Sequence, residues 1–241
     1  MYISFIIPAF NEEQLIEQCL RSIADAVAAN RSYGYTHEVI VVDNNSTDAT
    51  ACLAKRAGAC VVFEPVNHIG RARTAGANAA RGDWLIFMDA DCQLNAGLTG
   101  DIFELIKQGR HVGAGSTVYM MDQPWWAEAL LKLWTVLSVR LGWMAGALMV
   151  CNTAAFREVG GFDLTLYAAE EIDLSRKLKK YGRKHKLKFA ILNAHPLETS
   201  SRKTRLYSGW EIAGQCLRLV LSPFSTLRNK KKLSMWYDGR R

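Results

Sequence analysis

Short apolar runs recur along the first part of the chain, each ending in polar or acidic residues before a stretch with helical spacing begins. Residues 2–7, 39–42, 60–63 and 85–88 are such runs. Too short for helices, they predict strands buried on both faces. Between them Leu15, Ile16, Cys19, Leu20 and Ile23 keep the spacing of one helix face. A second helix begins near Ala49, capped by the polar run 43–48, and a third covers about 69–80. This alternation predicts an α/β fold: a mainly parallel, doubly wound, Rossmann-like sheet with helices on both faces. In such sheets ligands sit beyond the carboxyl ends of the strands, where Asp43 and residues 89–93 fall.

Beyond residue 95 the pattern is less regular. It predicts a helix near 96–108, a strand near 111–118, a long helix near 125–142, and a return to the sheet at 146–150. Helical spacing through Ile172, Leu174 and Leu178 marks a helix over 170–181. A late strand at 186–192 and a last helix at 206–221 complete the expectation. No repeat or linker divides the chain, so one domain over 1–222 is expected, followed by a basic tail, 223–241.

The fourth apolar run ends in Asp89-Ala90-Asp91-Cys92-Gln93. Along an extended chain Asp89, Asp91 and Gln93 share one side, offering three hard oxygens to a cation such as Mg²⁺ or Mn²⁺. With 241 residues and 49% hydrophobic content the chain can bury a substantial core, and its net charge of +7 points to anionic partners. Six cysteines are scattered with no CxxC pair, which suits a reduced, cytoplasmic setting better than a disulfide framework. No secretory leader is evident at the N-terminus. The tract 125–150 is apolar but carries Glu128, Lys132 and Arg140, which argues against a spanning helix.

Four ordered blocks carry a family resemblance. They are Ile7-Pro8-Ala9-Phe10-Asn11-Glu12-Glu13; Val41-Val42-Asp43-Asn44-Asn45-Ser46-Thr47-Asp48; Gly70-Arg71-Ala72-Arg73 leading through Gly76 and Gly82 to Asp89-Ala90-Asp91; and Val159-Gly160-Gly161-Phe162-Asp163 followed by Glu170-Glu171-Ile172-Asp173-Leu174. Together they resemble the family 2 glycosyltransferases, whose GT-A fold binds nucleotide sugars. The resemblance implies a nucleotide-binding half over about 1–95 and an acceptor-binding half over about 96–222. It also implies a metal-dependent, inverting transfer from a nucleoside-diphosphate sugar to an acceptor hydroxyl on a lipid, saccharide or small molecule.

Residue by residue, the resemblance puts Pro8, Ala9, Asn11, Glu12, Asp43 and Ala90 around the nucleoside, and makes Arg73 a diphosphate or nucleotide contact although Thr74 replaces the family's Asn. Asp89 and Asp91 match the metal-carrying motif, with Gln93 and His195 as further ligands for Mn²⁺ or Mg²⁺. Glu171 falls at the position of the general base where the family usually has Asp, with Glu170 and Asp173 beside it. Arg202 and Lys203, within 199–205, offer positive charge to the leaving diphosphate. The aromatic tract from Trp125 and the basic, aromatic tail suggest peripheral contact with the inner face of a membrane, a covered acceptor cleft or a homo-oligomer, and no nucleic acid is expected. A sugar-phosphate nucleotidyltransferase would carry a glycine-rich phosphate loop after the first strand, and that position here is acidic and without glycine. A non-catalytic nucleotide-binding, membrane-docking module would depend on the tail more than on Glu171.

Overall fold

The computed structural model describes residues 1–121 and 123–202, together with 206, 214 and 226–233. Its first half alternates as the hydrophobic pattern requires: β1 (Tyr2–Ala9), α1 (Ile16–Ala29), β2 (Thr36–Asp43), α2 (Thr50–Arg56), β3 (Cys60–Phe63), α3 (Ile69–Ala79) and β4 (Trp84–Met88). The second half adds β5 (Cys92–Gln93), α4 (Ala96–Gln108), β6 (His111–Met120), α5 (Trp125–Leu141), β7 (Leu148–Asn152), α6 (Thr153–Glu158), α7 (Glu170–His185) and β8 (Lys188–Thr199). The strands form one sheet in the order β3-β2-β1-β4-β7-β6-β8-β5. β1 to β4 are parallel, β7 runs against both β4 and β6, β8 is parallel to β6, and β5 is antiparallel to β8.

The continuous apolar runs exist because both faces of the sheet are covered. Ile3, Phe5 and Ile7 of β1 and Trp84, Ile86 and Met88 of β4 pack with Ile16 and Ile23 of α1 and Leu98 and Ile102 of α4. The alternate residues Ile6, Leu85 and Phe87 pack on the other face with Ala72 of α3, Phe156 of α6, and Leu174 and Leu178 of α7. α3 approaches β1 and β2 so closely that a Cβ on Gly76 would lie 2.4 Å from Ile6 Cγ2 and 2.9 Å from Val42 Cγ2. Gly76→Val is therefore expected to cost at least about 1–3 kcal/mol by overpacking, more than valine gains over glycine in helix propensity. Urea unfolding of the variant checks this.

Pairing, more than burial, sets the strand lengths that hydrophobicity underestimates. β2 begins at Thr36 because its pairing with β1 runs from Tyr2, although its first residues are exposed. β8 runs on to Thr199 because its pairing with β6, which lapses after Leu192 and skips the exposed positions 193–196 at a register shift, resumes at Leu197, where β5 then pairs Glu198 and Thr199. The two-residue β5 and six-residue α6 are too short for a periodic signal. The expected helix at 206–221 and the tail fall largely outside the described residues.

Candidate active site

The site lies at the carboxyl end of β4, where the backbone turns. Asp89 N–H donates to the Ala147 carbonyl, and Cys92 N–H returns to the Asp89 carbonyl at 3.1 Å. Residues 89–92 are thus a turn, and the expectation of one extended run presenting Asp89, Asp91 and Gln93 on the same side is not met. The closure sends the side chains of Asp89 and Asp91 to different partners.

Asp89 faces Arg73, a residue of α3 that is only 2% exposed. Arg73 Nη2 donates to Asp89 Oδ1 and to the Gly146 carbonyl, both at 2.8 Å, while Nη1 donates to Glu170 Oε1 at 2.6 Å. One buried guanidinium therefore joins the end of β4, the loop before β7 and the first residue of α7. Its planar fork allows this, since several donors leave one carbon in fixed directions. α7 is launched by Ala169, whose φ of 62° is left-handed and unfavourable for a residue with a Cβ. The helix start holds Glu170 buried against Arg73 and leaves Glu171 partly exposed. Burial, and then the neighbouring Glu170 carboxylate, push the Glu171 carboxyl up to about 8, with Arg73 pulling the other way. Glu171 lies close to Gly146, as a Cβ there would be 3.7 Å from its carboxyl carbon. Asp173 turns away, to a 2.8 Å ion pair with Lys177 one helical turn on.

Asp91 belongs to a second group. Arg202, just beyond β8, forms a two-pronged pair with Glu12, Nη1 to Oε2 at 2.9 Å and Nη2 to Oε1 at 2.7 Å, and its Nη2 lies 3.8 Å from Asp91 Oδ2. A cavity of about 490 Å³ opens here, lined by Gln14, Gln18, Ala90, Asp91, Gln93 and Arg202 among others. Buried Cys19 and Cys92 nearby are free, and burial and then the Asp91 charge raise both thiols, so they remain protonated.

The residues expected around a nucleoside occupy the adjoining ends of β1 and β2. Pro8 is buried beside Val42, and Ala9 is in register with Asp43. Asp43 Oδ1 accepts from Ser46 N–H at 2.9 Å, Asn11 Oδ1 accepts from Thr47 N–H at 2.8 Å, and Glu12 N–H donates to Thr50 Oγ1 at 2.8 Å. The first bond closes the loop after β2 on itself, and the other two brace the two strand-to-helix loops against each other. Asn11 adopts a left-handed φ of 53°, which Asn tolerates better than most residues.

His195 is placed elsewhere. Its ring covers Gly97 of α4, where a Cβ would be 2.4 Å from His195 Cδ2, and its Nδ1 lies 2.9 Å from Asp101 Oδ2. Ser200 N–H donates to the Asp91 carbonyl, and His195 lies five residues earlier on the same strand, roughly 16 Å away at an extended rise. The structure does not bring it to Asp91. Lys203 lies outside the described residues.

Among the described residues no cluster of three His, Cys, Asp or Glu side chains converges to hold a metal ion. The oxygen chemistry nevertheless suits a hard divalent cation. Asp89 and Asp91 each face a guanidinium, so the turn already accommodates positive charge, and Mg²⁺-type ions are commonly held by one or two carboxylates with substrate phosphates supplying the rest. Sequence reasoning missed Gly146, whose carbonyl carries no signal, and the partnership of Glu12 with Arg202, 190 positions apart.

Comparison with known proteins bears on the fold and the family. The family model described as "Glycosyl transferase family 2" matches residues 4–159. An uncharacterized glycosyltransferase of Mycobacterium tuberculosis is 33% identical over 128 residues, 52% of this chain and 54% of that protein. An undecaprenyl-phosphate 4-deoxy-4-formamido-L-arabinose transferase of Pseudomonas paraeruginosa is 34% identical over 140 residues, 54% of this chain and 40% of that one. The chain thus spans about half the length of the curated relatives it matches, or less. A mannosyltransferase of Pyrobaculum calidifontis, solved in complex with GDP-Man and Mn²⁺, superimposes with a TM-score of 0.66 at 18% identity, over 94% of this chain and 62% of that one. The fold is the GT-A fold of solved glycosyltransferases.

Proposed function

The chain belongs to glycosyl transferase family 2, and from that premise we propose that it moves a sugar from a nucleoside-diphosphate sugar to an acceptor hydroxyl, with a divalent cation and with inversion. The observation that carries the proposal is the Arg73 cluster, which ties Asp89 at the end of β4 to the acidic start of α7.

In this reading Pro8, Ala9, Asn11, Glu12 and Asp43 border the nucleoside, and Asp89 and Asp91 hold the cation, with Gln93 beside them. The cation supplies charge neutralisation for the departing diphosphate. Arg202 adds a fixed positive charge on the same side. Glu171 takes the proton from the acceptor hydroxyl as its oxygen bonds to the anomeric carbon and the bond from that carbon to the diphosphate breaks. Glu170 stays paired with Arg73 and keeps Glu171 in place.

The raised Glu171 carboxyl bears on the acceptor class. A phosphate acceptor is already an anion near neutral pH, whereas an alcohol must lose a proton during attack, and a base whose pKa lies near the working pH serves that step. This favours an alcohol. The Pseudomonas relative's name points to a lipid phosphate for that protein, so the two acceptor classes can be compared directly.

Donor turnover, measured over a panel of UDP and GDP sugars with and without Mn²⁺, tests the reading. Turnover should require the ion and fall on the order of 10²-fold or more in Asp91→Asn with folding intact. Metal-independent turnover, or an unimpaired variant, would overturn it.

A further inference from the structure

α5 is the element that the transfer reading leaves unexplained. Its only buried residues are Ala127 and Ser138, and its outward side is apolar as well. Trp125 is 81% exposed and Leu133 57% exposed, and Leu130, Val136, Leu137 and Val139 are also exposed. Trp125, Ala129, Leu133 and Val136 follow one another at helical spacing, so they form a single outward stripe. A helix that is apolar toward both the sheet and the outside needs a second low-dielectric neighbour. Exposed Met121, just before α5, continues the surface to the mouth of the Asp91 cavity, which it helps to line.

The charge around this stripe says what that neighbour is. Lys132 and Arg140 stand exposed on α5 itself. At the C-terminal end of α5, Lys179 of α7 donates to the Leu141 carbonyl, and the Arg176 guanidinium sits 5.6 Å from the centre of the Trp143 ring. Arg176, Lys179, Lys180 and Arg183 share one ridge of α7, and Arg176, Lys180 and Arg183 are exposed. The one acidic residue of α5, Glu128, is paired with Lys132 at 2.7 Å. An apolar, tryptophan-bearing helix face bordered by cations matches the hydrocarbon edge and anionic headgroups of a bilayer.

We propose that α5, with the adjoining cationic ridge of α7, is a docking surface for an anionic lipid bilayer. No helix among the described residues is long and apolar enough to cross a membrane, so the contact is interfacial. The residues after α5 lead directly into the site, where the Gly146 carbonyl meets Arg73 and the Ala147 carbonyl meets Asp89. A bilayer resting on α5 therefore lies at the entrance to the acidic cluster. This last consequence rests on the transfer reading, but the docking itself does not.

The test is flotation of the full chain with vesicles of phosphatidylcholine alone and with vesicles of roughly 3:1 phosphatidylcholine to phosphatidylglycerol. Binding should require the anionic lipid. Leu133→Glu combined with Val136→Glu, both already exposed and so compatible with folding, should lower partitioning by about tenfold or more, and Arg140→Ala by about fivefold. Absence of binding to anionic vesicles, or binding indifferent to the double variant, overturns the proposal. So does light scattering that finds a dimer of the free chain split by the double variant without vesicle binding, since the stripe would then serve a second copy. Flotation is read without turnover, so its failure would leave the transfer reading standing.

Discussion

Replacing Glu171 with glutamine is expected to abolish transfer and, at the same time, to stabilise the metal-free folded chain. The two effects share one cause. Burial and the Glu170 charge hold the Glu171 carboxyl up to about 8, whereas in the unfolded chain a glutamate titrates near 4.3. Between those values the folded state keeps a proton that the unfolded state has released. Stability contributed by this group is therefore complete at low pH and declines as pH rises toward the folded value. Glutamine is neutral throughout. The difference in melting temperature between Glu171→Gln and the parent chain should grow from about pH 5 to about pH 8 and then level off. Transfer should drop by about 10²–10⁴-fold, the usual contribution of a positioned base. Thermal unfolding across this pH range and acceptor turnover check the pair together. A residue with only a structural part would lose stability when changed.

Arg73→Ala is expected to be the most destabilising single change at the site. It removes the shared partner of Glu170, itself only 2% exposed, and of Asp89, and it frees the Gly146 carbonyl. Breaking a buried ion pair by deleting one member typically costs about 3–5 kcal/mol, because the remaining charge is left without compensation. Lysine would restore the charge but not the fork, so Arg73→Lys should recover only part of the loss. Adding Glu170→Gln to Arg73→Ala should return stability, because the stranded carboxylate is then gone, and the two changes should be non-additive. Urea unfolding of the parent chain, Arg73→Ala, Glu170→Gln and the double variant gives the coupling directly. Additive losses would mean that the cluster is not one electrostatic unit.

Much of the architecture was legible because its causes are local. A strand covered on both faces must be apolar at every position, and the run 84–88 is such a strand, with alternate residues serving the two cores. The end of that strand was legible as a candidate site for the same reason, since two carboxylates have no part in a core. What followed it was not. A turn closed by one backbone bond from Cys92 to Asp89 separates the two acids, and no side-chain pattern marks that bond. Arg73 was visible as a candidate, but its role as a hub depends on Glu170, 97 positions away, and on a backbone carbonyl. His195 shows the opposite case: singled out by the family resemblance, it sits on β8 over Gly97, with its Nδ1 2.9 Å from Asp101. The extent of β8 itself was hidden, because an exposed stretch at 193–196 interrupts the pairing with β6 before it resumes at Leu197.

Calorimetric titration of UDP and GDP in the presence of Mn²⁺, on the parent chain and on Asp91→Ala and Glu171→Gln, tests the division of labour on which everything else depends. One carboxylate group is assigned to the cation and diphosphate and the other to the acceptor's proton. Asp91→Ala should therefore lose about tenfold or more of the Mn²⁺-dependent nucleotide affinity, ~1.4 kcal/mol, while Glu171→Gln keeps it. Nucleotide binding that ignores Asp91, or that is lost equally in Glu171→Gln, would contradict the account.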